Sequence, residues 1–394
     1  MKRRHVIAGL FAGVGGLERG LARAGHETAL LCENDPGAVA VLESRFEETD
    51  FHKDVCTLRR LPRGTTLLAA GFPCQDLSQA GRTVGIAGAR SGLVAEVFRL
   101  IEQHRTPWVL LENVPFMLQL GRGEAMNVIT TTLEALNYRW AYRVVDTRSF
   151  GLPQRRRRVY LVAALEEDPR GVLFADEAGS ASQTTAKVGD ACAFGFYWTE
   201  GTRGLGWAVD AIPTLKGGSS LGIPSPPAIL LDTGEIVTPS IRDAERLQGF
   251  PTDWTKPAEE VTRKGQRWKL VGNAVSVPVA EWIGRRLREP GKVLDFEVAA
   301  LKPHTPWPTA AWNVGPGRVR VAASEWPVRR KQQSLSTFLR YPTAPLSAKA
   351  TAGFLSRAEV APLKFDDGFL DAIRAHLQRM GLSADKRGDF LPRL

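Results

Sequence analysis

Short apolar runs alternate with amphipathic stretches through the first 165 residues of the chain. Residues 5–11 form an apolar run that predicts a strand, and after a glycine-rich turn residues 17–24 show the spacing of a helix. The same pair follows again, with a strand predicted over residues 28–33 and a helix over residues 36–46 that has proline in its first turn. This order of strand, helix, strand and helix predicts an α/β fold.

Polar residues lie at the ends of three later apolar runs: two runs are followed by a polar residue, and one is preceded by a cluster of arginines. Residues 67–70 lead into Cys74 through a Gly-Phe-Pro turn, residues 107–111 lead into Glu112, and residues 155–158 are four arginines that run into a further strand. Glycine and proline after residues 67–70 force the chain to turn, which places the Cys74 thiol at the carboxyl edge of a sheet. In open α/β sheets, ligands and chemistry collect at this edge.

The Cys74 thiol is a candidate nucleophile because of the residues expected near it. A lone cysteine is more often a buried packing residue, but here a carboxylate and arginines are predicted at the ends of neighbouring strands. Alternate residues of an extended segment face opposite ways, so only one pair of the four arginines points into the site. Arg156 and Arg158 form such a pair, and the other two arginines face away.

The glycine turn of residues 12–16 lets a ligand approach the backbone, and the acid Glu33 at the end of the second strand suits a pair of ribose hydroxyls. A dinucleotide oxidoreductase has a similar pattern. However, the fingerprint G-x-G-x-x-G is not met, because Glu18 stands at its third glycine. This departure weakens the interpretation as an NAD enzyme.

Six ordered blocks of the sequence resemble the DNA (cytosine-5)-methyltransferases. The blocks lie at residues 10–16, 73–75, 112–114, 154–158, 242–251 and 271–275. The resemblance covers roughly residues 5–165 and 205–290. It implies the mixed, Rossmann-like sheet of the S-adenosylmethionine-dependent methyltransferases. It also implies an enzyme that methylates carbon 5 of cytosine at specific sites in double-stranded DNA.

The resemblance assigns chemistry to the residues at the sheet edge. Cys74, as its thiolate, would add to carbon 6 of the cytosine and make carbon 5 nucleophilic towards the methyl group of S-adenosylmethionine. An ordinary thiol with a pKa of about 8.5 is only a few per cent ionised at pH 7, so positive charge from Arg156 or Arg158 would help. Glu112 would deliver or share a proton at N3 of the ring.

The cofactor contacts of the family also have counterparts in this chain. They fall on Phe11, Gly13, Gly15, Glu33, Asp54, Pro73 and Asn273. Phe11 would stack on the adenine, Glu33 would hold the ribose, and Asp54 would contact the adenine amine. The two glycines would line the methionine portion, and Asn273 would lie near its carboxylate. For Glu33 and Asp54 the alternative is an ordinary exposed acid at a strand end.

The glycine-rich segment after Cys74 is typical of a loop that closes over a substrate. A cytosine inside a duplex must leave the base stack before it can react, and side chains of this segment could fill the space left behind. The residues expected to contact DNA are Ser78, Gln79, Arg82 and Arg90. The alternative is a surface loop with no such role.

Composition agrees with an enzyme that acts on a polyanion. The chain has 394 residues, 43% of them hydrophobic, and a formal net charge of +10, which favours partners such as duplex DNA. It contains no apolar segment long enough to span a membrane and no secretory signal. The spacing of Cys32, Cys56, Cys74 and Cys192 fits neither a metal site nor a disulfide framework. These features predict a cytoplasmic protein without a metal.

The distribution of charge predicts where DNA is read. Residues 166–241, where the family usually carries target recognition, hold four Lys or Arg against ten Asp or Glu, whereas residues 295–394 hold fifteen against nine. We predict a catalytic core over residues 1–165, a short variable insert over residues 166–241, a return to the core over residues 242–294, and a basic C-terminal extension over residues 295–394.

The extension is predicted to perform much of the target recognition, and the insert part of it. Its basic and aromatic residues include Trp307, Trp312, Trp326 and Arg318. The rival hypothesis is a stabilising appendage or a surface that docks a partner.

Two other functions share some of these features. A tRNA cytosine-5 methyltransferase of the same fold would carry the same catalytic blocks, and net charge does not separate RNA from DNA. A catalytically silent DNA-binding regulator is disfavoured, because Cys74, Glu112, Arg156 and Arg158 occur together. The small core suggests a bacterial restriction-modification enzyme that acts as a monomer on DNA, with a cognate restriction endonuclease as a possible partner.

Overall fold

Two sheets organise the protein, which the computed structural model describes over residues 3–73, 92–180, 187–218 and 224–385. In chain order the described strands are β1 (Val6–Leu10), β2 (Glu27–Cys32), β3 (Asp50–His52), β4 (Leu67–Ala70), β5 (Trp108–Asn113), β6 (Arg139–Asp146), β7 (Gln154–Arg155), β8 (Arg157–Ala164), β9 (Phe194–Phe196), β10 (Trp207–Val209), β11 (Ile212–Pro213), β12 (Ala228–Leu230), β13 (Ile236–Thr238), β14 (Val298–Ala300), β15 (Ala310–Asn313), β16 (Val319–Val321) and β17 (Ala344–Pro345).

The described α-helices lie on and between these sheets. In chain order they are α1 (Gly16–Arg23), α2 (Pro36–Arg45), α3 (Leu93–His104), α4 (Glu124–Ala135), α5 (Arg170–Leu173), α6 (Ile241–Leu247), α7 (Gln266–Asn273), α8 (Val277–Arg288), α9 (Leu335–Phe338), α10 (Ala348–Glu359) and α11 (Phe369–Asp385). None of the helices in the described part of the chain is long and apolar enough to cross a membrane.

The central sheet has ten strands in the order β14-β16-β15-β6-β8-β5-β4-β1-β2-β3. The half from β3 to β5 is parallel, and from β5 onwards each strand runs antiparallel to its neighbour. Parallel strands need cover on both faces, and β4 accordingly consists of four apolar residues that are fully buried. The predicted mixed α/β sheet is confirmed.

Helices cover both faces of this sheet. On one face, Val109 and Leu111 of β5 join a core with residues of α3 and α4. On the other face, Trp108 and Leu110 join a core with residues of α1 and α8. A side chain at Gly20 of α1 would overlap α8. The glycine therefore allows the two helices to approach closely. The carboxyl ends of the parallel strands remain uncovered by these layers.

The second, smaller sheet has the order β10-β9-β12-β13-β17. Its core is aromatic: the Phe196 ring lies 4.6 Å from Phe354 of α10 and 5.3 Å from Phe369 of α11. We call the sheet with α10 and α11 the small domain. The short ladder of β7 with β11 joins it to the arginine block of the central sheet.

The C-terminal extension divides its residues between the two sheets. Strands β14, β15 and β16 lengthen the central sheet beyond β6, whereas β17, α10 and α11 complete the small domain. The aromatic and basic residues that suggested DNA contacts have internal partners. The Trp307 indole donates to the Gly123 carbonyl at 3.0 Å, Trp312 packs edge-on against Phe174, and Arg318 forms an ion pair with Glu134 at 2.8 Å.

Candidate active site

The carboxyl ends of β1, β2 and β4 surround a cavity of about 320 Å³. Six of the seven residues predicted to hold the cofactor line it: Phe11, Gly13, Glu33, Asp54, Pro73 and Asn273. The seventh, Gly15, lies at the start of α1 with a φ of 79°. The ring of Phe46 packs against Gly15 so closely that a side chain there would overlap it.

Glu33 fixes the glycine turn beside the cavity. One carboxylate oxygen accepts from the Gly13 amide at 2.8 Å, and the other accepts from the amides of Asn34 and Asp35 at 2.9 Å each. A carboxylate has about four lone-pair positions, so Glu33 retains acceptor capacity for a ligand hydroxyl.

Phe11 adopts an unusual backbone conformation at the cavity wall. Its φ is 53°, in the left-handed region that bulky residues avoid because of steric strain. Such strain persists only where the surrounding structure imposes it, and it concentrates at ligand sites. The turn thereby holds a half-buried aromatic ring at the cavity wall, which suits stacking on a flat ligand.

Two residues at the cavity were not predicted from the sequence. Asp35 caps α2 by accepting from the Gly37 and Ala38 amides, and its other oxygen pairs with Lys269 at 2.7 Å. Lys269 and Asn273 are four residues apart on α7 and therefore share a face. The sequence could have indicated Lys269 through this spacing, because a residue four positions before the predicted cofactor residue Asn273 lies on the same helix face.

Asn113 ties the ends of β4 and β5 together. Its side-chain amide donates to the Phe72 carbonyl at 3.0 Å, and its oxygen accepts from the Val114 amide at 2.8 Å. Phe72 comes two residues before Cys74, so this buried amide fixes the backbone that leads to the predicted nucleophile. The sequence showed an amide at this edge but not what it binds.

Glu112 is the buried carboxylate of this edge, with a side chain 10% exposed. An Arg158 guanidinium nitrogen lies 3.1 Å from its carboxylate, and a side chain at Gly71 would meet its other oxygen. Burial raises the pKa of the Glu112 carboxyl, and the charges of Arg158 and Arg156 oppose that rise. A carboxyl with a raised pKa retains its proton to higher pH and can donate it.

Arg156 has partners different from those of Arg158. Its buried guanidinium donates to the carbonyls of Leu215 at 3.2 Å, Gly272 at 3.1 Å and Ala274 at 2.6 Å. Burial, and then the charge of Arg158, lower its pKa to about 9, although the charge of Glu112 opposes both. Arg156 thus joins Leu215 of the insert to the block at residues 271–275.

The family model for C-5 cytosine-specific DNA methylase matches residues 6–190 and 233–289 of this chain. The chain belongs to that family. The DNA methylase blocks predicted from the sequence lie within these two ranges. The predicted enzyme class is therefore confirmed: the protein is an S-adenosylmethionine-dependent methyltransferase that acts on carbon 5 of cytosine in DNA.

Two curated relatives extend the match. The Type II methyltransferase M2.BsuMI of Bacillus subtilis (strain 168) is 49% identical over 379 residues, which is 93% of this chain and 97% of the relative. The Type II methyltransferase M.DsaV of Dactylococcopsis salina is 27% identical and covers 73% of this chain and 86% of its own length. Among solved structures, the Entamoeba histolytica methyltransferase EhMeth shares the fold, with a TM-score of 0.51 at 14% identity, over 73% of this chain and 100% of that one.

The cavity fits S-adenosylmethionine in the chemistry of its walls. An adenosine needs a stacking surface and acceptors for its ribose hydroxyls, and a methionine carboxylate needs a cation or amide. Phe11, Glu33 and the pair of Lys269 with Asn273 supply these groups around one cavity. No cluster of three or more metal-ligating side chains occurs within the described ranges.

Five predicted site residues lie outside the described residues. They are Cys74, Ser78, Gln79, Arg82 and Arg90. Their predicted roles rest on the sequence. The structure describes the chain up to Pro73, which lines the cavity, and it describes the Glu112 carboxylate at the end of the neighbouring strand β5.

Proposed function

We propose that this DNA methylase modifies cytosine within a specific duplex sequence, with Cys74 as the nucleophile and Glu112 as the group that manages the N3 proton. The observation that carries this proposal is the Glu112 carboxyl. It is buried at the end of β5, has a raised pKa and pairs with Arg158. It lies one strand away from β4, whose end leads through Pro73 into Cys74.

The Glu112 carboxyl, when protonated, donates a hydrogen bond or its proton to N3 as the Cys74 thiolate forms a bond to carbon 6. The π pair of the C5–C6 bond then forms a C4–C5 double bond and the π pair of the C4–N3 bond moves to N3, where the proton neutralises the charge that develops. S-adenosylmethionine, when bound, supplies an electrophilic methyl group to carbon 5. Loss of the carbon 5 proton and of the Cys74 sulfur restores the aromatic ring.

The two arginines have separate tasks in this proposal. Arg158 orients the Glu112 carboxylate and moderates the rise in its pKa. Arg156 positions backbone: its three carbonyl partners include Gly272 and Ala274, on either side of Asn273 in the cofactor cavity. Its positive charge also acts on the Glu112 carboxyl from a distance.

We assign the cofactor to the cavity at β1 and β2, with Phe11 on the adenine, Glu33 on the ribose and Asp54 on the adenine amine. Gly13, Gly15, Pro73 and Asn273 complete this predicted set. The acceptor capacity of Glu33 and the strained turn at Phe11 support the assignment. Ser78, Gln79, Arg82 and Arg90 remain predicted DNA contacts.

Target recognition is assigned to the small domain. This deepens the expectation for the C-terminal extension, since α10 and α11 complete the core of the insert. The ladder of β7 with β11 connects the domain to the arginine block, which carries Arg158, the partner of Glu112; this connection supports a role of the small domain in holding the duplex beside Glu112. A cognate restriction endonuclease, a monomeric state on DNA and a cytoplasmic, nucleoid-associated location belong to the same proposal.

Trapping tests the proposed chemistry. Duplex DNA with 5-fluorocytosine at the target position holds the covalent complex, because the carbon 5 fluorine cannot leave as the proton does. We expect wild-type protein with S-adenosylmethionine to form a complex that survives denaturing electrophoresis, and Cys74→Ala to form none. An equal yield of complex with Cys74→Ala excludes Cys74 as nucleophile. A parallel measurement of methyl transfer to tRNA decides between the nucleic acids.

A further inference from the structure

Trp254 holds the glycine turn of the cofactor cavity from behind. Its indole N–H donates to the Val14 carbonyl at 2.8 Å, although the two residues are 240 positions apart in the chain. Val14 is the central residue of the turn between β1 and α1, next to Gly13, which lines the cavity. Trp254 itself is 5% exposed and belongs to a core with Val14.

Cations on two helices fix the plane of the indole. The Arg19 guanidinium of α1 lies 4.4 Å from the ring centre of Trp254, and that of Arg45, the last residue of α2, lies 5.2 Å from it. Arg45 also donates to the backbone carbonyls of Asp253 at 2.7 Å and Trp254 at 3.2 Å. Each of these cation–π contacts stabilises the position of the buried ring, and together they leave the indole little freedom to rotate.

The segment that carries Trp254 is itself fixed by α6. The buried Glu245 carboxylate accepts from the amides on either side of Trp254, those of Asp253 at 2.6 Å and Thr255 at 2.8 Å. Arg267 neutralises Glu245 at 2.9 Å. The indole donor is therefore presented to Val14 by a rigid support rather than by a mobile loop.

On the other side of the turn, Glu33 accepts from the Gly13 amide. The turn is thus held at two consecutive residues. Glu33, in the cavity wall, binds the Gly13 amide, and Trp254 binds the Val14 carbonyl from the opposite side. We infer that Trp254 is a positioning residue for the cofactor: it fixes the Val14 carbonyl and so sets the position of Gly13 relative to Glu33. This inference rests on the cofactor site assigned above, and it gives Trp254 no contact with reacting atoms.

Trp254→Phe tests the inference, because phenylalanine retains an aromatic ring between the two arginines but removes the N–H donor. The free energy of one buried hydrogen bond corresponds to about a tenfold change in an equilibrium constant, and this sets the upper limit for the effect of the internal Trp254–Val14 bond on cofactor binding. We expect the Kd for S-adenosylhomocysteine, measured by calorimetry, and the KM for S-adenosylmethionine to rise about three- to tenfold. The kcat at saturating cofactor and the Kd for DNA stay within about twofold.

Trp282→Phe is the matched control. The Trp282 indole is 4% exposed and donates to Asp176 at 2.7 Å from α8, away from the cofactor cavity. The Trp282→Phe variant also loses a buried indole hydrogen bond, so Tm falls in this variant as well, while its affinity for the cofactor stays at the wild-type value. Equal weakening of cofactor binding in both variants, or a lower kcat without a change in KM, overturns the inference.

Arg45→Gln provides a second test if Trp254→Phe fails to fold. Arg45 is exposed, so its replacement removes the contacts to residues 253 and 254 without opening the core. A rise of two- to fivefold in the Kd for S-adenosylhomocysteine supports the inference, and an unchanged value contradicts it. Wild-type protein that does not bind S-adenosylhomocysteine contradicts the assigned cofactor site instead, which separates the two failures.

Discussion

The central sheet and the small domain stabilise themselves in different ways. The parallel half of the central sheet is made of consecutive strands and helices, and its strands are buried between two helical layers. The small domain assembles strands of two or three residues from segments more than a hundred positions apart, and its core is a cluster of aromatic rings. The residues proposed for catalysis lie mainly on the locally built unit, whereas a separate core supports the proposed recognition unit.

Buried hydrogen bonds of two glutamine side chains tie together the segments that lie between the two units. Gln154 donates to the Leu247 carbonyl at 2.8 Å and accepts from the Leu215 amide at 3.0 Å. Gln248 donates to the Val271 carbonyl at 3.0 Å and accepts from Ser276 at 2.8 Å. Such groups cost energy if left without partners, so this junction fixes one arrangement. Because each unit nevertheless has its own core, substitutions within each unit should have separable effects.

The largest effect is expected from Glu112→Gln in the central sheet. The amide cannot deliver a proton, and loss of a general acid typically lowers the rate by about 10²- to 10⁴-fold. We expect the single-turnover rate constant of methyl transfer to fall by that amount, while the Kd for S-adenosylhomocysteine stays at the wild-type value.

Glu134→Gln is the control for this measurement. Glu134 is also held by an arginine, Arg318, but lies on α4 away from the cavity. Its activity should stay near the wild-type value. A Glu112→Gln rate within tenfold of wild type contradicts the proposed role of the carboxyl.

The next largest effect is expected from a substitution in the core of the small domain, which should impair DNA binding but not cofactor binding. Phe354 is 1% exposed and packs on Phe196, and a buried Phe→Ala change costs about 3–5 kcal/mol. We expect Phe354→Ala to weaken binding of the target duplex and sequence-specific methylation, measured by gel shift and methyl transfer. The Kd for S-adenosylhomocysteine should change less than twofold.

Parallel loss of cofactor binding and DNA binding in Phe354→Ala contradicts the separation of the two units. Ile129→Ala in α4, buried in the core of the central sheet, gives the opposite pattern. It lowers the free energy of unfolding of the catalytic unit, and cofactor binding falls with it.

The two units also differ in what the sequence could predict. Strand β4 was predicted over residues 67–70 and has those bounds, because four apolar residues between turn signals suffice to specify a buried strand. The parallel strands β1 and β2 were each predicted to within one residue at either end. By contrast, β17 pairs with β13 through two residues, too short for any periodicity.

In the site, spacing alone could not separate the two arginines. Arg156 and Arg158 were predicted to share a face, but the strand is interrupted at Arg156, between β7 and β8. One guanidinium therefore reaches backbone carbonyls and the other reaches Glu112. The charge counts did not reveal that Arg318 forms an ion pair with Glu134 inside the protein and is therefore not free to bind DNA. Long-range contacts such as Trp254 with Val14 leave no local signal.

The smallest effect concerns a carboxyl inside the helical layer of the central sheet. Glu18 of α1 is fully buried against Gly9. Burial raises its pKa from 4.5 to about 7, its own backbone amide opposes the rise, and Glu33 adds to it. The folded protein thus binds a proton that the unfolded chain releases above pH 4.5, so stability falls as pH rises from 4.5 to 7, by about 3 kcal/mol.

His5 at the opposite end of β1 has the reverse slope. Burial, and then the neighbouring His26, lower its pKa from 6.5 to about 4, so stability falls as pH decreases through that interval. The two slopes oppose each other in wild type between about pH 4.5 and 6.5. Urea unfolding at several pH values should show Glu18→Gln gaining stability steadily with rising pH over this interval, and His5→Gln losing it. Parallel profiles for the two variants contradict the burial of either group in its neutral form, because only neutral burial makes the folded state favour opposite ends of the same pH interval.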